Sequence, residues 1–168
     1  MLAITIRLYA FLTFLAAASI VQARGITVMN HQSHTLFLWS VADGDNVTMQ
    51  WLNPNGGSYY EDWRLNPKGG AISIKISFTQ KREDILQFEY SLKDTVAWDF
   101  SSINMKQDSL FRKLGFKSLP SDPICPAATC PPNSTTCKDS FEKADDNQVI
   151  RVCSSDIGIL LIIGLLGL

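Results

Sequence analysis

The chain has 168 residues, with 15 Lys and Arg against 16 Asp and Glu and a formal net charge of −1 at pH 7. That length suits one ordinary domain. With no basic run or patch, the composition argues against nucleic acid and against electrostatic adhesion to an anionic membrane.

The first predicted element is a secretory signal peptide over residues 1–23. Arg7 supplies its positive charge, Leu8 to Ala18 is apolar apart from Thr13, and Val21-Gln22-Ala23 offers small residues to a signal peptidase. The apolar run is shorter than the about 20 residues a membrane span needs, so no stable transmembrane span is expected there. Cleavage after Ala23 removes Arg7, leaving 145 residues (24–168) as one domain and a charge of −2.

The mature chain then reads as strands separated by turns. Gly25 to Asn30 alternates, and Thr35-Leu36-Phe37-Leu38-Trp39-Ser40-Val41 is β-branched and aromatic. Turns are expected at Asn30-His31-Gln32-Ser33, at Asp43-Gly44-Asp45-Asn46, over Asn53 to Gly57 and over Asn66 to Gly70. A strand is expected from Ser58 to Arg64. The clearest one follows, with Ile72, Ile74, Ile76 and Phe78 on one face and Ser73, Lys75, Ser77 and Thr79 on the other. Leu86, Phe88 and Tyr90 repeat the pattern against Gln87 and Glu89. Val96, Trp98 and Phe100 repeat it against Ala97 and Asp99. Such spacing, without a long helical period, predicts an all-β sandwich or barrel.

Beyond Ile103 the alternation weakens, with a short helix or irregular turn over Ser109 to Leu114. Residues 120–140, rich in Pro, Ser, Thr, Asp and Cys, predict a stapled loop, and Asn147 to Cys153 a strand. The four cysteines, Cys125, Cys130, Cys137 and Cys153, all lie in the mature chain. An even number in a secreted chain predicts two disulfides, with three connectivities open. Only His31 and His34 could add imidazole ligands, so a zinc site is disfavoured and no metal is expected. Two sequons, Asn46-Val47-Thr48 and Asn133-Ser134-Thr135, sit in turn-rich surroundings and are candidate glycosylation sites.

The apolar tail Ile157 to Leu168 admits two readings, a buried final strand or a GPI signal following Ser154-Ser155-Asp156. A GPI signal needs a polar spacer of about 8–12 residues that is missing here, which favours the strand.

Several stretches resemble, in order, the fungal yeast-phase-specific, or antigenic thaumatin-like, secreted proteins. They are Leu36 to Val41, Tyr59-Tyr60-Glu61-Asp62-Trp63-Arg64, Gly70 to Ile76, Leu86 to Tyr90, Trp98 to Ile103, the cysteine loop, and Val152 to Asp156. The resemblance implies a thaumatin-like β-sandwich of antiparallel strands without the extra disulfide-rich domains of large plant members. It also implies the pairings Cys125–Cys153 and Cys130–Cys137. A further family bridge, from the first turn to the C-terminus, is absent, because His31 stands at that turn and the tail holds no cysteine.

The resemblance also directs attention to an acidic cleft, since some thaumatin-like proteins bind or hydrolyse β-1,3-glucans. Glu89 matches the cleft glutamate and Arg82 loosely the cleft arginine. Other cleft carboxylates would fall at Asn104 and near Val96, neither of which can act as acid or base. Glycoside hydrolysis needs two carboxyl groups. Asp99, Glu61, Asp62 and Glu83 are candidates for the second, and no spacing singles one out. No nucleophile elbow or glycine-rich phosphate loop is present, so no cofactor is expected.

The expectation is a non-catalytic, monomeric protein of the cell surface or host interface, such as an antigen, wall-associated protein or effector. Its partner would be cell-wall glycan or a host protein, met by exposed aromatics among Trp39, Trp51, Tyr59, Tyr60 and Trp63. The alternatives are a β-1,3-glucan hydrolase using Glu89 and a GPI-anchored wall protein.

Overall fold

The structure, a computed structural model, describes residues 24–45, 47–146 and 149–166. The expected signal peptide and Asn46 lie outside the described residues. Twelve strands and one short helix follow in chain order: β1 (Gly25–Asn30), β2 (Leu36–Val41), β3 (Gln50–Leu52), β4 (Gly57–Asp62), β5 (Ile72–Ser77), β6 (Leu86–Leu92), β7 (Thr95–Ser101), α1 (Leu110–Leu114), β8 (Phe116–Pro120), β9 (Thr129–Cys130), β10 (Ser140–Phe141), β11 (Arg151–Ser154) and β12 (Gly158–Ile163).

They form two sheets. One has five strands in the order β4-β1-β12-β8-β9. The other has seven, in the order β10-β7-β6-β5-β2-β3 with β11 also pairing β7. Period-two alternation dictates the sandwich. Leu36 and Leu38, then Ile72, Ile74 and Ile76, then Phe88, Tyr90, Trp98 and Phe100 turn one face of the larger sheet inward. Ile26 and Val28 of β1, Phe116 of β8, and Ile159, Leu161 and Ile163 of β12 meet them from the smaller sheet. Pairing is mainly antiparallel; β1 with β12 and β10 with β7 are parallel.

The tail resolves into a central strand. β12 lies between β1 and β8, which is why it reads as nearly unbroken apolar sequence rather than an alternation. A cut near Ser154–Asp156 would strip this strand, and its buried side chains, out of the core, which weighs against the GPI alternative.

The cysteine loop is held from both sides. Disulfides join Cys125 to Cys153 and Cys130 to Cys137. The buried Arg112 of α1 grips Glu142 with two bonds, at 3.1 and 2.7 Å, and also donates to the carbonyls of Lys106 and Thr135. Helix α1 starts where the Ser109 hydroxyl accepts the Phe111 N–H and stops at Gly115. Gly115 has φ of 73°, and a Cβ there would lie 2.9 Å from the Cys130 carbonyl oxygen, so only glycine fits.

Candidate binding face

The larger sheet turns its other face outward, and the candidate cleft residues gather there. Strand register fixes their arrangement. Val41 pairs with Ser73, Ser73 with Glu89, and Glu89 with Asp99, making one row across β2, β5, β6 and β7. The neighbouring row runs Trp39, Lys75, Gln87, Ser101. Glu89 and Asp99 are thus direct cross-strand partners, whose Cβ atoms stand about 4.5–5.5 Å apart. Of the four carboxylates that sequence left open as partners of Glu89, Asp99 is the one placed opposite it.

The others are committed or distant. Glu61 accepts hydroxyl bonds from Tyr59 at 2.6 Å and from Tyr90 at 2.7 Å, and pairs with Arg64. Asp62 accepts from Tyr60 at 2.6 Å. Glu83 lies on the exposed loop after β5. Arg82, on the same loop, folds back over the outer face, its Cζ 5.4 Å from the centre of the Trp39 ring. Arg82 therefore shares the face with Glu89 through Trp39 and Lys75.

Two further positions explain the acidic pair's isolation. Asn104 stands at the end of the same face, its Oδ1 accepting from the Gln87 amide at 3.4 Å. Val96 is fully buried and points into the core. The outward-facing residue beside it is Ala97, so neither place supplies a third acid.

The pair is half-buried, and burial shapes its chemistry. Loss of solvent raises the Glu89 carboxyl, while the Ser73 hydroxyl and the Lys75 charge draw it back. Asp99 is pushed up to about 7, first by burial and then by the Glu89 charge, with Arg151 opposing. Its Oδ1 is buried with no hydrogen-bond partner among the described residues. Both carboxyls are therefore harder to ionise than ordinary surface acids.

The aromatic candidates separate sharply. Trp39 and Trp63 are buried, the latter donating its indole N–H to the Ile157 carbonyl at 2.8 Å. Tyr59 is half-buried, leaving Trp51 and Tyr60 exposed. A hollow of about 480 Å³ beside the cysteine loop offers no equivalent chemistry. Its Glu142 is held by Arg112, and its Asp146 caps the Glu142 and Lys143 N–H groups.

Comparison with known proteins now places the scaffold. A family model described as the Blastomyces yeast-phase-specific protein, Bys1, matches residues 13–163. The chain belongs to the Bys1 family. It is 40% identical over 141 residues to the secreted thaumatin-like protein calA of Emericella nidulans, covering 83% of this chain and 81% of that protein. It is 32% identical over 140 residues to an antigenic thaumatin-like protein of Arthroderma benhamiae, covering 82% of this chain and 70% of that one.

Two solved structures share the fold. The protein elicitor MoHrip2 of Magnaporthe oryzae superposes with a TM-score of 0.68 at 20% identity, over 84% of this chain and 99% of that one. The thaumatin-like xylanase inhibitor TLXI gives 0.56 at 11% identity, over 82% and 97%. This Bys1 member is thus a secreted, thaumatin-like β-sandwich, and none of its described helices is long and apolar enough to cross a membrane.

Proposed function

We propose that this Bys1 protein is a non-catalytic glycan-binding protein of the fungal cell surface or host interface, using the outer face of the seven-stranded sheet. The observation that carries the reading is the Glu89–Asp99 pair, with one carboxyl oxygen buried and unpartnered. Sugar hydroxyls both donate and accept, so they can bond a carboxyl in either protonation state. The lack of further acids at Ala97 and Asn104 favours binding over bond cleavage. The test is retention of the oxidised mature protein on insoluble β-1,3-glucan and chitin, beside Glu89→Gln and Asp99→Asn. Retention that both substitutions weaken supports the face; retention on host extract alone would make the ligand a protein.

A second reading, a β-1,3-glucan hydrolase, has one observation in its favour: burial and the Glu89 charge push the Asp99 carboxyl up to about 7, and a raised acid beside a second carboxyl is a combination that glycoside hydrolysis uses. Reducing ends released from soluble β-1,3-glucan, and lost in Glu89→Gln, would establish it over the binding role. The same maturation route includes signal peptide removal after Ala23 and N-glycosylation at Asn133. Asn133 is exposed in a turn with φ of 60° at the tip of the Cys130–Cys137 loop. Intact mass before and after glycosidase treatment tests both.

A further inference from the structure

We infer that the loop between β5 and β6 is a latch that shields the dibasic pair Lys81-Arg82 from trypsin-like proteases. The Ser77 hydroxyl closes it from within, and the seat of Arg82 on Trp39 closes it at the surface. Residues 24–168 hold two pairs of adjacent basic residues. Arg112-Lys113 belongs to α1, where Arg112 is buried against Glu142. Lys81-Arg82 lies instead in a loop whose residues Thr79 to Glu83 are all exposed. Exposed polar loop tips are where nicking concentrates, and a trypsin-like pocket takes Lys or Arg.

To be cut, the segment must lie extended in the protease cleft, with its N–H and C=O groups free to bond the enzyme. Around the Arg82–Glu83 bond those groups are taken. Ser77, buried at the end of β5, donates its hydroxyl to the Glu83 carbonyl at 2.7 Å and accepts the Thr79 N–H at 3.1 Å. The Lys81 carbonyl accepts twice, from the Thr79 hydroxyl at 2.9 Å and from the Glu83 N–H at 2.8 Å. The second of these bonds closes a three-residue turn with Arg82 at its apex.

The return limb is pinned as well. The Asp84 carboxylate accepts the Lys106 N–H at 2.9 Å, and the Ile85 N–H donates to the Asn104 carbonyl at 3.0 Å. The basic side chain is also engaged. Its guanidinium lies over the Trp39 ring, with Cζ 5.4 Å from the ring centre, so the group a protease would take is laid down on the sheet. Cleavage therefore needs the turn to open and Arg82 to leave Trp39.

A cut after Arg82 would divide the larger sheet between two hydrogen-bonded neighbours, β5 and β6. Both disulfides fall within the second fragment, so no covalent bond would join residues 24–82 to residues 83–168. A secreted protein meets proteases. The closed loop protects the sheet that carries Glu89 and Asp99, whatever that face binds.

Timed trypsin digestion of the oxidised mature protein, read by fragment mass, tests the latch against a linear peptide of residues 75–88 and against Ser77→Ala. When opening and closing are fast, the cutting rate follows the fraction of open loop. Cleavage after Lys81 or Arg82 is expected to be about a hundredfold slower in the folded protein than in the peptide. Ser77→Ala, which loses both serine bonds, should be cut there about tenfold faster than the wild type. Cleavage of the folded protein at the peptide's rate, or a folded Ser77→Ala cut no faster, overturns the inference. Stoichiometric inhibition of trypsin does so too, because Arg82 would then enter the protease pocket with the loop closed. Should the variant fold poorly, amide hydrogen exchange on the unaltered protein decides. Slow exchange at Thr79 and Glu83 supports the latch, and exchange at the peptide's rate removes it.

Discussion

Replacing Asp99 by Asn tests the electrostatics of the outer face directly. Burial and the Glu89 charge move the Asp99 carboxyl from 3.8 to about 7 in the folded protein. Below the lower value the carboxyl is protonated whether folded or not, and it contributes no difference. As pH rises from about 4 to 7 the unfolded chain gives up the proton while the native state keeps it, so stability falls through that window and stays lower above it. Three pK units at about 1.4 kcal/mol each set an upper bound of about 4 kcal/mol. Partial solvent access reduces this to about 2 kcal/mol. Asn has the same shape and cannot ionise. Asp99→Asn is therefore expected to gain about 2 kcal/mol, or about 5 °C in Tm, near pH 8 and to match the wild type near pH 3.5. Urea unfolding followed by tryptophan fluorescence at both pH values measures it. An equal change at both values, or a loss at the higher one, would refute the reasoning, because it would mean that the native carboxylate is ionised and well bonded.

Arg112→Ala removes both bonds to Glu142 and leaves a partly buried carboxylate without its cation; chemical denaturation should show a loss of about 3–5 kcal/mol. The two disulfides should rank by loop length. Their separations of 28 and 7 residues correspond to about 3.6 kcal/mol for Cys125–Cys153 and about 2.4 kcal/mol for Cys130–Cys137 in the chain-entropy account, a difference that paired serine variants measure by unfolding. Glu61→Gln removes the charge that, after burial, holds the Tyr90 phenol above its ordinary range. Ultraviolet titration should find a tyrosine ionising at lower pH than in the wild type, with a stability loss of about 1–2 kcal/mol.

Strands β5, β6 and β7 were legible because each turns one face into the core, so large apolar residues alternate with small or polar ones along the buried stretch. β8 was not, and its Ser118 shows why. That serine is buried, and its hydroxyl accepts the Ala128 N–H at 2.9 Å. A polar residue satisfied inside the sheet breaks the alternation that pattern reading relies on. β3 escaped for a different reason, since three residues carry too little periodicity to distinguish a strand from a loop. The aromatics illustrate a third case. Trp39 stands on the outward face, where alternation would leave it exposed, yet it is buried, with the Arg82 guanidinium over its ring. Only tertiary packing reveals that.

The candidate site was half legible for a related reason. Residue type and family likeness brought Glu89, Asp99 and Arg82 forward, but the partner of Glu89 depends on strand register. The hairpin closes at Lys93 and Asp94, with the Lys93 N–H donating to the Thr95 carbonyl at 2.9 Å, and that turn brings Asp99 opposite Glu89. A shift of one residue in this hairpin would put Asp99 on the core side and Trp98 outside. The core aromatics Phe88, Trp98 and Phe100, packed ring against ring at 5.5–5.9 Å, forbid that slip. The acidic pair on the surface is thus held in place by the hydrophobic face beneath it. Exchanging an outward residue such as Ala97 or Asn104 would change the acids on the face while leaving unchanged the register that aims Glu89 and Asp99.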